Sequence, residues 1–136
     1  MDASYDETKG AIIPIAEAEL RDDLKGHPGV AAHIFVSGPD ELSRWLLVAL
    51  NIIEPGGGID PHYHEGLEAD HAYFLLEGEV VARIGDDEFP VKENSLMMFN
   101  SKVVHGFRVV SPGGAKVMRL GASATGKSTG GSVFVD

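Results

Sequence analysis

Hydrophobic and polar positions along this chain switch at short range, with little helical spacing. Apolar-rich runs occupy residues 30–36, 44–53, 71–76, 79–84, 88–91, 95–99, 103–110 and 115–120, with Pro-Gly, Gly-Asp and Ser-Pro-Gly-Gly breaks between them. Short runs recurring every roughly 8–12 residues predict an antiparallel sandwich or barrel and disfavour a helical bundle. Residues 14–25 are the exception, because Ile15, Ala16, Leu20 and Leu24 fall on one helical stripe and Gly26 follows as a stop. We expect a short lid or edge helix there. The stretch 121–131, GASATGKSTGG, is small and polar without an apolar period, so it predicts a flexible strap, with 133–135 pairing as a last strand.

Inside that strap, Gly121, Gly126, Lys127 and Ser128 satisfy the phosphate-loop pattern G-x-x-x-x-G-K-S. The chemistry of that loop needs a following helix whose N–H groups cradle the phosphates, and a later carboxylate for magnesium. Only eight residues follow Ser128, and they include two glycines and Val-Phe-Val. The match is therefore read as accidental.

At 136 residues the chain has the length of one domain. We divide it into an N-terminal arm, about 1–28, a barrel, about 29–120, and a strap, about 121–136. Its 43% hydrophobic and 24% charged residues are those of a folding, soluble chain. The longest apolar run, residues 45–50, is far shorter than the roughly 18–20 residues that cross a bilayer. The first ten residues are acidic and polar, unlike a secretory signal, which makes the cytoplasm the expected compartment. A net charge of −10 repels phosphate backbones and anionic lipid, so neither nucleic acid nor membrane is expected as a partner. With no cysteine, any metal must be held by His, Asp, Glu or amide groups.

Four of the six histidines lie between positions 62 and 105. In an extended strand His62 and His64 share a face while Tyr63 takes the other. After the acidic loop EGLEAD, His71 shares a face with Tyr73 and Leu75, and His105 alternates with Phe107 and Val109. Imidazoles from three strands can thus meet inside a barrel. His27, in a Gly-His-Pro-Gly turn, and His33, in an early strand, read as solvent or packing residues. Glu65 and Glu68 are rival ligands in the acidic loop, with solvated charge as the competing reading.

These residues resemble the cupin superfamily. Gly56, His62, His64 and Gly78 meet its first motif, G-x5-H-x-H-x(3 or 4)-E-x6-G, but His71 stands where the Glu ligand is usual. The second motif, G-x5-P-x-G-x2-H-x3-N, is met at His105, whereas Asn100, Lys102 and Val109 replace its Pro, Gly and Asn. The resemblance covers about 44–120 and implies an all-β fold, a double-stranded β-helix or jelly-roll barrel with a short N-terminal helix or turn. It further implies one divalent ion on His62, His64, His71 and His105, zinc first, with iron, manganese or nickel as alternatives. A fourth His in place of a carboxylate leaves the donor set neutral, so the ion keeps its full charge as a Lewis acid.

Among four-histidine cupins the arrangement is most similar to aromatic polyketide cyclases of the resistomycin type. That similarity implies aldol-type cyclisation of a polyketide or aromatic ketone. A metal-bound water is the simplest base, and Tyr73, on the expected inward face with His71, is the first candidate for a protein acid or base. Trp45, Leu47, Met98, Phe99, Phe107 and Met118 are the expected cavity walls. The rivals are an iron or manganese dioxygenase, a non-enzymatic small-ligand module, and an isomerase or lyase acting on sugar acids. The last needs a cation in the pocket, which Arg83, Lys102, Arg108 or Arg119 could supply, although alternation does not turn them inward. Edge pairing between barrels makes a homodimer the expected assembly.

Overall fold

The computed structural model describes residues 5–123 and 131–136. Among them the chain forms one 3-10 turn, Ile15–Glu17, and the strands β1 (Glu19–Arg21), β2 (Val30–Ser37), β3 (Leu46–Ile53), β4 (Gly58–His64), β5 (Asp70–Glu77), β6 (Glu79–Ile84), β7 (Asp87–Lys92), β8 (Ser95–Asn100), β9 (His105–Val109), β10 (Ala115–Ala122) and β11 (Ser132–Phe134). All eight apolar runs are strands, with ends within two residues of those expected. They form two antiparallel sheets, ordered β1-β2-β3-β10-β5-β8 and β11-β4-β9-β6-β7, the jelly-roll barrel anticipated above. No helix among the described residues is long and apolar enough to cross a membrane.

The arm departs from expectation. Where residues 14–25 promised a helix, a single 3-10 turn leads into β1, which pairs with β2 through Glu19↔Ile34, Leu20↔His33 and Arg21↔Ala32. Ile15 and Leu20 stay 43% and 55% exposed and of the stripe only Leu24 packs against the core, so a helix would bury little, and edge pairing satisfies the backbone instead. Gly26 does end the segment, at φ +72°, where a Cβ would strike the Phe134 ring. His33, on β2, is half-buried, as a packing residue should be.

The strap splits in two. Gly121 and Ala122 continue β10, while β11 pairs with β4 through Ser132↔His64, Val133↔Tyr63 and Phe134↔His62. Residues 124–130, including Gly126, Lys127 and Ser128 of the accidental phosphate-loop match, lie outside the described residues.

Strand register divides the barrel interior into two ends. At one end the inward positions Ile53, Ile59, Leu75, Val80, Phe107, Val109 and Val117 form an apolar core. Moving along the same strands toward the other end, Val117↔Leu75 gives way to Arg119↔Tyr73 and Gly121↔His71, and Ile59↔Phe107 gives way to His62↔His105. The apolar end stabilises the fold by burial. The polar end carries every histidine singled out by motif.

Candidate metal centre and cavity

His62 and His64 face the interior because of an irregularity in β4. Ile59 is fully buried opposite Phe107, and simple alternation from it would turn 61 and 63 inward. The β4–β9 register slips between Ile59 and His62, at Pro61, a residue with no N–H to give to the ladder. The slip exchanges the two faces beyond it, so both imidazoles point in. Gly106 permits the fit: a Cβ there would lie 2.6 Å from Ile59 O and 3.0 Å from Pro61 N and Cα.

One potential ligand atom from each of His62, His64 and His105 lies within 4.8 Å of the others, and all three residues are buried. The rings of His62 and His105 are 4.3 Å apart between centroids, and those of His62 and His64 are 4.9 Å apart. His71 reaches the same group from β5, its ring 5.0 Å from His64 and 6.0 Å from His105, just outside the tight trio. A Cβ at Gly121 would come within 3.2 Å of His71 Cδ2, so β10 passes close behind this ring.

The protonation chemistry suits a metal. Nδ1 of His62 donates to Asp60 O at 2.8 Å, and Nδ1 of His105 donates to Val103 O at 2.7 Å. A carbonyl only accepts, so each ring carries its proton on Nδ1 and presents a bare Nε2. Nε2 of His105 is buried and has no hydrogen-bond partner among the described residues. Burial lowers the pKa of His62 and drives that of His105 down to about 3, which keeps both imidazoles neutral. Neutral, preoriented nitrogens and an orphaned Nε2 are what a divalent ion would complete.

The rival ligands point away. Glu68 is exposed and paired with Lys102 Nζ at 3.1 Å, and Glu65, also exposed, accepts from Tyr63 OH at 3.3 Å. Tyr73 is buried beside Phe99 and Phe107, with its ring 6.0 Å from that of His105. Burial pushes its phenol up to about 12, so it stays protonated.

A cavity of about 420 Å³ lies over this cluster. Its walls include Leu24, Ile34, Leu47 and Phe134, and its polar groups are Glu19, Arg21, Lys25, His27, Ser37, Arg119 and Ser132. His62 and His64 lie just beneath these walls: the rings of Phe134 and His27 are 5.2 and 6.3 Å from that of His62, and Ser132 Oγ is 3.4 Å from His64 Nδ1. Of the expected walls only Leu47 lines it. Phe99 and Phe107 belong to the core below, while Trp45 and Met98 are 49% and 57% exposed. Met118 alternates with the inward Val117 and Arg119 and so faces outward.

Two cavity groups depart from expectation. His27 is half-buried in the wall, its Nδ1 donating to Lys25 O at 2.8 Å and its pKa lowered, by burial first. Arg119 enters the interior between Val117 and Gly121, contrary to the alternation argument. The other candidate cations are engaged elsewhere. Arg83 donates to Asp136 O at 2.7 Å, and Arg108 pairs with Asp60 at 2.9 Å. Parity with Val117 was the available signal for Arg119, whereas nothing local marks His27.

A sequence profile for the cupin domain matches residues 49–120. A search of curated proteins found no match. Among solved structures, the polyketide cyclase RemF from Streptomyces resistomycificus superposes with TM-score 0.72 at 16% identity, covering 94% of this chain and 88% of that one. A sugar phosphate isomerase of the cupin superfamily from Silicibacter pomeroyi gives TM-score 0.68 at 21% identity, over 84% and 76% of the two chains. The protein TT1209 from Thermus thermophilus gives 0.60 at 28% identity, over 74% and 90%. At such identities the first two likenesses concern the fold alone.

Proposed function

The chain belongs to the cupin family, and from that premise we propose that it is a metal-dependent enzyme that enolises a small carbonyl substrate inside the barrel, in the aldol-type cyclisation of an aromatic polyketide. The observation that carries this reading is the buried trio His62, His64 and His105, with Nδ1 of His62 and His105 tied to backbone carbonyls and Nε2 of His105 left bare. His71 is the fourth ligand in this reading, and zinc is the ion. The ion supplies Lewis acidity toward a carbonyl oxygen, which makes the neighbouring C–H acidic.

The chain's own groups do the rest. His27 keeps one ring nitrogen as an acceptor at the cavity wall and can hold a proton taken from carbon. Tyr73, held as a neutral phenol, is suited to give a proton rather than take one. Leu47 and Phe134 narrow the cavity around one conformer and exclude water. A second reading, isomerisation of sugar acids, uses the same enolisation, and Arg119 in the cavity favours it. We further propose that residues 1–136 act as one cupin unit of arm, barrel and strap. It would pair as a homodimer across the edge strands β7 and β8, where Phe89, Leu96 and Met98 are 46%, 54% and 57% exposed.

Incubating the zinc-loaded protein with a linear poly-β-ketone acid tests the assignment. Mass spectrometry should find a product lighter by one water per ring closed, and none with His62→Ala. Unchanged substrate with a fully zinc-loaded protein would refute cyclisation.

A further inference from the structure

We propose that Arg119 is an anion anchor: its guanidinium binds a carboxylate or phosphate oxygen of the molecule that enters the cavity. The proposal deepens the enzymatic reading, since it specifies the substrate class, but binding at Arg119 does not itself require the metal.

Arg119 pairs across β5 with Tyr73 and across β3 with Ala49, so no neighbouring strand position offers it a counter-charge. Among the described residues Arg119 makes no ion pair or hydrogen bond, although burial is enough to lower its pKa. A half-buried guanidinium without a partner carries a desolvation cost, and a ligand oxyanion would relieve it.

The surroundings agree. In a chain of net charge −10, the cavity gathers Arg21, Lys25 and Arg119 against the single carboxylate of Glu19. Arg21 is already bound to Asp23 at 3.0 Å, and Lys25 Nζ lies over the Phe134 ring at 5.6 Å. Among the described residues Arg119 is the cavity cation with neither an ion pair nor a ring beneath it. It sits on β10 two residues from Gly121, the partner of His71, and opposite Tyr73, whose ring is 6.0 Å from that of His105, which places it beside the histidine cluster. A guanidinium presents paired N–H donors that match the two oxygens of a carboxylate or phosphate. An acid held there would present its carbonyl end toward the cluster.

The test uses three flat probes of one shape: benzoate, its neutral isostere benzamide, and phenyl phosphate. Their affinities are measured by calorimetry on the full chain, both zinc-loaded and after chelator treatment. We expect benzoate or phenyl phosphate to bind about tenfold more tightly than benzamide in both preparations, and the tighter of the two anions to identify the substrate's group. The preference should fall to near unity in Arg119→Gln and be partly kept in Arg119→Lys. A preference retained in R119Q, or absent from the chelated wild-type chain, overturns the proposal; the latter result needs no variant and holds whether or not R119Q folds. If the anion preference stands while zinc fails to bind, the anchor survives and the metal reading falls. One bound zinc without an anion preference in the chelated chain removes the anchor and leaves the metal reading standing.

Discussion

Replacing His105 with leucine separates the metal role of this residue from its structural role. In the metal-free chain the buried, unpartnered Nε2 costs about 1–3 kcal/mol, which leucine removes. Against that, the substitution loses the 2.7 Å bond to Val103 O, worth about 1 kcal/mol, and the ring stack on Phe99 at 4.1 Å and 21°, worth about 0.5–1.5 kcal/mol. Leucine fills a similar volume, so little cavity is added. The opposing effects nearly cancel, and metal-free H105L should match the metal-free wild type to within about 2 kcal/mol, unlike most changes at a 1% exposed position. Zinc at about 100 times its Kd should stabilise the wild type by about 2.7 kcal/mol, or roughly 8–16 °C for a domain of this size. H105L should gain nothing. Thermal melts with zinc or with a chelator read both quantities. An undiminished zinc shift in H105L, or a loss above about 4 kcal/mol in its metal-free form, would refute the reasoning.

Other substitutions and conditions probe different parts of the structure. Gly106→Ala places a Cβ 2.6 Å from Ile59 O, forcing β4 and β9 apart; it should cost about 1–3 kcal/mol in denaturant unfolding and weaken zinc binding together. A folded G106A with wild-type zinc affinity would contradict the role given to the Pro61 slip. Burial lowers the pKa of His62, and that of His105 to about 3, below the unfolded value near 6.5, so the unfolded chain binds more protons between those limits. Metal-free stability should therefore be complete above about pH 6.5 and decline as pH falls toward 3, by roughly 1 kcal/mol per unit for His105, with His62 acting in the same direction. A melting temperature constant down to pH 4 would contradict this. Leu96→Lys with Met98→Lys, two exposed positions on the edge strand β8, should convert a dimer to a monomer in sedimentation without altering zinc content.

Much of the barrel was legible because its strands bury one face and are bounded by glycine and proline breaks, so alternation alone located β2, β3 and β5 to β10. The same alternation misplaced residues wherever parity was ignored. Met97 and Phe99 point inward, so Met98 between them cannot, and Val117 inward puts Arg119 inward with it. Residues 14–25 misled because an apolar stripe predicts a helix only where a surface exists to receive it, and here the unpaired edge of β2 took the backbone instead. The H-x-H pair was readable as two imidazoles on one face. Which face it would be depended on the slip at Pro61, a property of the pairing with β9 that no local pattern contains. The contributions of His27, Ser132 and Phe134 to the cavity were not readable, since they arise from distant segments folding over β4.

The most direct measurement is anomalous diffraction at the zinc edge from crystals grown with stoichiometric zinc. One strong peak should lie among Nε2 of His62, His64 and His105, with His71 completing the donor set. Zinc bound only at surface carboxylates, with the interior histidines unliganded, would contradict it.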